Sequence, residues 1–395
     1  MSEDDIYDVA VAGGGPSGTS AAIHLALQGA RVLLAEQKQF PRPKLCGEFI
    51  SPECMRHFKR LGVAEQMLSA GGVTLNETVF YSRAGHKVKV PSQWFGSDTG
   101  ALGLSRAEMD QRLLERAKSV GVIVIEDAPV SDLIMDRTRV SGFRLKRGDR
   151  VSEHRAQITI DATGRARSLV RKLERHNGSS HSVNRSRFIA FKAHLENTRV
   201  ADGACEIYFY PGGYGGLSRV EGGVSNLCFI ASAKEVRRCG SDPERVVRQL
   251  VMTNARAAYA LAQAQTRTEW LSVTLEKYGR HTLVPAEGML TVGDAAAFID
   301  PFTGSGMLMA LESGAAAAQA IIEQRERAQE ISFRDVAREY RARYSEQFDS
   351  RLRVSGLLRR AAFVPRLAEA AILCFGISSR LRRRVARATR PAQVL

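Results

Sequence analysis

The apolar positions of this chain fall into blocks whose repeat switches between the strand period and the helix period. Ile6 to Ala12 is a short strand-like run that ends in glycines. Thr19 to Gln28 is rich in Ala and Leu at helical spacing, and Gly29 stops it as a glycine just past a helix does. Arg31 to Ala35 reads as a second strand, closed by Glu36. Leu104 to Gln111 opens a helical pattern that runs to Ser119. Two later apolar strands, Ile158-Thr159-Ile160 and Leu290-Thr291-Val292, each run into a turn of small residues, so both can lie beside the first strand at its carboxyl end. Between these blocks sit two inserts, roughly Leu61 to Thr99 and Arg185 to Thr282, that alternate as strands do; Glu206 to Tyr210 and Leu227 to Ile230 are examples. After about Glu330 the pattern is helical to the end. The expectation is an α/β fold with an antiparallel sheet inserted into it.

The first turn carries chemistry. Gly13-Gly14-Gly15-Pro16-Ser17-Gly18 satisfies G-x-G-x-x-G inside a complete strand–helix–strand–acid unit. Gly13 makes the tight turn out of the strand, Gly15 lets the backbone approach a pyrophosphate, and Gly18 lets the helix pack close to the sheet. The helix N-terminus offers N–H groups and a partial positive charge to phosphates. Glu36, eighteen residues after Gly18, is placed to accept hydrogen bonds from a ribose 2′-OH, which argues against a 2′-phosphate in the same slot. There is no second G-x-G-x-x-G, no G-x-S-x-G and no H-E-x-x-H. Hydrolase and zinc-protease chemistry therefore have no support.

Charge adds one feature. The formal net charge over 395 residues is +15, and Arg351 to Leu395 holds eleven Arg, no Lys and one acid, Glu369. The body is thus near neutral and the C-terminal end basic. Leu367 to Ile377 is a short apolar stretch followed by the cluster Arg380 to Arg387. Two readings stay open: a helix that closes over the body as a lid, or one that rests on an anionic membrane surface. Nucleic acid is not expected, because the basic residues lack interleaved aromatics and any reading motif. The six cysteines, Cys46, Cys54, Cys205, Cys228, Cys239 and Cys374, include no C-x-x-C pair, so cluster and zinc-ribbon binding have no support. Sparse thiols and the acidic start Met1 to Asp5 read as a cytoplasmic protein without a signal peptide.

Taken together, three segments give the chain a family resemblance. The G-x-G-x-x-G turn, the Asp161-Ala162-Thr163-Gly164 strand end, and Gly293-Asp294 followed by Pro301-Phe302-Thr303-Gly304-Ser305-Gly306 occur in one order. That order resembles the FAD-dependent oxidoreductases of the p-hydroxybenzoate hydroxylase fold, from about residue 6 to about residue 345. The resemblance implies an FAD-binding Rossmann-like domain built from 1–60, 100–184 and 283–345. It also implies an interleaved antiparallel substrate domain from 61–99 and 185–282, with a basic helical segment, 346–395, added. It places Gly13, Gly15, Gly18, Glu36, Arg42, Arg106, Gln111, Gly293, Asp294, Gly304 and Gly306 with the cofactor. Asp294 would meet the ribityl chain, and the helix starting near Met307 would aim its N-terminus at the flavin pyrimidine.

Within this group, Pro41-Arg42-Pro43-Lys44-Leu45-Cys46-Gly47 is similar to the P-R-x-K-x-C-G stretch of geranylgeranyl reductases. That similarity puts Cys46 at the flavin and the substrate. Arg42 and Lys44 precede it, and cations beside a thiol make it more reactive. Those reductases carry Y-x-W-x-F-P in the second insert. This chain keeps Tyr214, taken as the second catalytic residue, but has Gly216, Ser218 and Arg219 at the other positions. Gly216 either opens room over the flavin or marks a plain glycine hairpin. The region around Gly47-Glu48 also resembles flavin-dependent halogenases, yet their W-x-W-x-I-P motif is missing; Trp94 and Trp270 stand in other contexts, and Lys87 and Lys89 read as a solvated strand edge. The implied activity is reduction of a carbon–carbon double bond in an apolar or lipid-like substrate by hydride from reduced flavin. A flavin-dependent monooxygenase is the alternative, and a flavoprotein electron carrier the next. Electrons would come from NAD(P)H or a partner protein.

Overall fold

A computed structural model describes residues 6–95, 100–178, 187–275, 278–327, 331–362 and 365–390. The acidic start at 1–5 and the last five residues lie outside the described residues. Two large sheets share the work. The first has seven strands in the order Ile123–Ile125, Val32–Ala35, Tyr7–Ala12, Arg150–Asp161, Arg139–Arg147 and Val130–Asp136, with Met289–Thr291 also paired to Arg150–Asp161. Tyr7–Ala12 pairs in parallel on both sides, so Val11 sits between Leu34 and Ile160, and Ile160 beside Leu290. Of the strands expected beside the first, Val32–Ala35 and Arg150–Asp161 are its neighbours, while Met289–Thr291 lies one strand further out, against Arg150–Asp161. Their carboxyl ends converge, as α/β sheets arrange their ligand crevices.

The helix Pro16–Leu27 leaves the first strand at once. Gly13 has φ +111°, and a Cβ there would lie 2.4 Å from the Ala162 carbonyl oxygen, so only glycine turns at this point. Behind this helix runs Gly306–Arg327. The two backbones approach so closely that a Cβ on Gly314 would sit 2.2 Å from the Ser17 carbonyl oxygen. The Ser20 hydroxyl donates to the Leu311 carbonyl at 2.8 Å across the same contact. Buried Leu308, Leu311, Ala317 and Ile321 fill the space beside it.

The second sheet has eight strands, ordered Gln265–Thr266, Phe188–Glu196, Ser225–Ser232, Gly213–Arg219, Ala204–Tyr210, Glu77–Tyr81 and Lys87–Pro91, with Leu271–Leu275 on Phe188–Glu196. Its pairs are antiparallel except one: Ala204–Tyr210 runs parallel to Glu77–Tyr81, with Cys205 opposite Thr78. The wholly antiparallel sheet expected from the alternation is corrected here. Strands from separate inserts meet at that seam, and no hairpin constrains their direction. Lys89 pairs with Glu77 at 2.7 Å on the edge strand, as a solvated edge does.

The C-terminal part is helical as expected: Phe333–Ala362, Pro365–Ile377 and Ser379–Ala388. Tyr340 donates to the Thr291 carbonyl at 2.7 Å, tying the first of these helices to the first sheet. The last two lie over the second sheet and line the cavity described below. No helix among the described residues is long and apolar enough to cross a membrane.

Gly314→Ala will destabilise the fold by about 1–3 kcal/mol, because the new methyl must push the two helices apart. Urea denaturation reads this as a lower midpoint at unchanged slope; an unchanged midpoint contradicts the close contact.

Candidate active site

A cavity of about 700 Å³ lies between the two sheets. One end is polar and made by the first sheet. Gly13, Gly15 and Ser17 line it from the start of the first helix. That helix has no side chain capping its N-terminus and no acid in its first turn, so its N–H groups are left for an anionic ligand. A Cβ on Gly15 would meet nothing nearer than an Arg106 guanidinium nitrogen at 3.7 Å. Glu36, 4% exposed, closes this end: its Oε2 accepts the Gly14 N–H at 2.9 Å and faces Arg42 at 3.2 Å. Arg106 is held by a bidentate pair with Asp110, both contacts at 2.8 Å. Asp294 lines the cavity too; burial pushes its pKa up against the pull of Arg165, Lys44 and Arg106. Gly304, at φ +61°, and Gly306 bring the start of the Gly306 helix to the same wall. Open helix N–H groups, a buried acid at the end of the second strand and flanking cations are a set of groups that fits a flavin dinucleotide.

Two expected cofactor glycines act one layer back. A Cβ on Gly18 would lie 1.9 Å from the Gly13 carbonyl oxygen, and one on Gly293 would lie 2.5 Å from the Ser17 hydroxyl. They allow the close packing that shapes the turn. Gln111 does not line the cavity; its amide donates to Glu115 at 2.6 Å along the helix surface. Position 111 is five residues past Arg106, and that turns it away from the face Arg106 uses.

The other end is apolar. Val88, Phe209, Ile230, Phe302 and Leu275 form its walls, and Ile372 and Phe375 of the Pro365 helix its roof. Cys46 and Tyr214 both line the cavity, as expected from sequence. The Cys46 sulfur accepts the Glu48 N–H at 3.5 Å, and the Arg106 guanidinium lies within electrostatic reach of it. The Cys46 carbonyl accepts from Asn226 Nδ2 at 3.1 Å. Tyr214 is 4% exposed and its hydroxyl donates to the Asp300 carboxylate, which also accepts the Phe302 N–H at 3.0 Å. Burial, reinforced by Asp300, pushes the Tyr214 pKa well up. Tyr214 is thus a neutral wall residue with its proton engaged. Gly216 also lines the cavity, so the glycine-rich strand does leave room there.

Sequence reasoning missed the group that fixes Cys46. Glu48 has no exposed surface and a positive φ of 54°. Its carboxylate accepts the Arg106 N–H at 2.9 Å, the Lys192 ammonium, and His194 Nε2 at 2.7 Å. Burial alone would raise the Glu48 pKa; the His194 hydrogen bond and the Lys192 charge outweigh it and hold the value below 4.5. A signal was present. Lys192 and His194 stand at alternate positions in the strand Phe188–Glu196, which is otherwise apolar up to its last residue, so both point to one face.

Glu48→Gln will cost about 3 kcal/mol or more at neutral pH, since it strands the Lys192 charge in the interior. The sign follows from the lowered pKa. The stabilisation is present above 4.5 and is lost as pH falls through the folded-state value. The wild-type advantage in denaturation midpoint should therefore shrink in acid; a pH-independent difference contradicts the charged carboxylate.

Comparison with known proteins agrees with this geometry. The family model described as FAD binding domain matches residues 6–347. A digeranylgeranylglycerophospholipid reductase of Methanosarcina mazei is 27% identical over 325 residues, 81% of this chain and 76% of that protein. A menaquinone reductase of Mycobacterium tuberculosis is 28% identical over 384 residues, 92% of this chain and 87% of that protein. Among solved structures, the flavin-dependent brominase Bmp2 superposes with a TM-score of 0.80 at 21% identity, over 97% of this chain and 93% of that one, a likeness of fold. The protein belongs to the FAD-binding-domain family and is an FAD-dependent oxidoreductase.

Proposed function

We propose that this oxidoreductase reduces a carbon–carbon double bond in an apolar, lipid-like substrate. The observation that carries the reading is the continuity of the cavity: its dinucleotide end passes the Cys46 loop and opens into a space walled by Val88, Phe209, Ile230 and Phe302. Apolar walls of this kind bind by excluding water and hold few polar groups. The names of the two curated relatives, a lipid reductase and a quinone reductase, support the same substrate class. The Cys46 loop favours reduction over oxygen insertion, which shares the fold.

The roles then follow from position. The first helix N-terminus takes the pyrophosphate, Glu36 the ribose, and Asp294 the ribityl hydroxyls. Reduced FAD, when bound, supplies the hydride, with electrons from NAD(P)H or a partner protein. Cys46 supplies or positions the proton that saturates the second carbon, and the Glu48 N–H orients its sulfur. Tyr214 and Asp300 keep one wall rigid. The inserts at 61–99 and 185–282 make the substrate half.

The C-terminal helices serve twice. They roof the cavity, and their outer face suits an anionic bilayer. Leu373, Ile377 and Leu381 are exposed at 45%, 88% and 45%, beside exposed Arg380, Arg383 and Arg384. Such a face sinks apolar tips into lipid while arginines meet phosphates. A lipid substrate would then enter from the membrane side.

Cys46→Ala should keep its FAD absorbance and lose about a hundredfold or more in turnover; full turnover removes Cys46 from the mechanism. The combined change of Arg380, Arg383 and Arg384 to Gln should lower sedimentation with vesicles containing anionic lipid while leaving behaviour with neutral vesicles unchanged. Equal binding by wild type and variant to anionic vesicles contradicts the membrane contact.

A further inference from the structure

The roof of the cavity contains two arginines whose donors are not used up. Arg390 is 9% exposed and lines the cavity. Its Nη2 donates to the Thr303 carbonyl at 3.1 Å, and its guanidinium covers the Phe95 ring at 4.4 Å. Its Nε stands 3.6 Å from Glu53 Oε1, beyond hydrogen-bond distance. Nε and Nη1 have no hydrogen-bond partner among the described residues, and neither has either oxygen of Glu53. Arg382 also lines the cavity; its Nη1 donates to the Phe375 carbonyl at 2.9 Å, it lies 5.4 Å from the Trp94 ring, and its buried Nε has no partner among the described residues.

Burying guanidinium donors without acceptors is costly, and arginine cannot escape the cost by losing its proton. Glu53 is the countercharge of Arg390 at 3.6 Å, and behind it Arg351, 1% exposed, is paired with Glu312, so the charges are matched while the hydrogen bonds of Arg390 Nε and Nη1 are not made among the described residues. Burial lowers the Arg390 pKa against the pull of Glu53. The same helices present Ile372, Phe375, Val385 and Ala386 to the cavity. An apolar chamber with undersatisfied cations at its roof fits a ligand with an apolar body and an anionic head. The dinucleotide phosphates have their own site at the first helix. Both arginines lie beyond residue 347, where the family model ends.

The geometry points to Arg382 and Arg390 as an anion subsite that takes the phosphate or carboxylate head of an amphipathic substrate. It rests on the apolar-substrate reading above and narrows it. Guanidinium forks suit both oxyanions.

The test uses the FAD-loaded protein and three probes: decanol, decyl phosphate below its micelle concentration, and inorganic phosphate. Calorimetric titration should show wild type binding decyl phosphate roughly tenfold or more tighter than decanol, the scale of a charge-assisted hydrogen bond. Arg382→Met and Arg390→Met should each remove most of that preference and leave decanol affinity within about twofold. Decanol binding also reports whether a variant is folded; if Arg390→Met is not, Arg382→Met decides. Equal wild-type affinity for decanol and decyl phosphate overturns the subsite alone. So does a preference that survives both substitutions, or inorganic phosphate binding as tightly as decyl phosphate, which would mark a free-phosphate site. Failure of both decanol and decyl phosphate to bind overturns the apolar-substrate reading and the subsite together.

Discussion

The buried Glu48 carboxylate is the contact on which the geometry of this site depends. It ties together three elements that are far apart in sequence: its own loop leads from Cys46, and it takes donors from Arg106, which begins a helix of the dinucleotide half, and from Lys192 and His194 of the second sheet. A carboxylate in an interior is expensive unless every lone pair is used, and an ammonium such as Lys192, 3% exposed, is more so. The two charges are tolerable only together. Their pairing therefore fixes how the sheets meet, and the loop between Arg42 and Glu48 is set across the junction. Cys46, two residues from Glu48, inherits its place from this constraint, and its own contacts, the Glu48 N–H on its sulfur and Asn226 Nδ2 on its carbonyl, hold it there.

The second organising feature is how the cavity is enclosed. Its floor is the carboxyl end of the first sheet, its walls come from the second sheet, and its roof from the last two helices. The chemistry divides along the same lines. Helix N–H groups, Glu36 and flanking cations sit where a dinucleotide belongs, while aromatic and branched side chains fill the opposite end. The roof is held by apolar packing of Ile372, Phe375 and Ala386 against Val88, Phe209 and Trp94, and by polar contacts from Arg387 to the Trp94 carbonyl at 3.2 Å and from Arg390 to the Thr303 carbonyl at 3.1 Å.

Much of this was legible in the sequence because it is local. The glycine turn, the helix after it and Glu36 all lie between positions 13 and 36, and their spacing states their geometry. The strand ends at Asp161 and Gly293 were readable for the same reason. What sequence could not display is partnership at a distance. Nothing local joins Glu48 to Lys192, or Tyr214 to Asp300, although each residue stood in a segment already singled out or strongly patterned. The parallel seam between Ala204–Tyr210 and Glu77–Tyr81 escaped notice because period-two alternation carries no direction. Gln111 was assigned by motif alone, and helix rotation places it elsewhere. The C-terminal cluster read simply as basic; only the fold distinguishes arginines that face outward from Arg382 and Arg390, which face the cavity.

The central claim is that one continuous cavity delivers an apolar double bond to a bound flavin. The most direct measurement is a single turnover without oxygen. Purified holoprotein is reduced chemically under anaerobic conditions and mixed with polyprenyl quinone or polyprenyl glycerophospholipid, while the flavin absorbance and the product mass are followed. The account predicts that the flavin reoxidises without oxygen and that the lipid gains two hydrogens. Reoxidation only after oxygen is admitted, with a product that gains one oxygen atom, would contradict it.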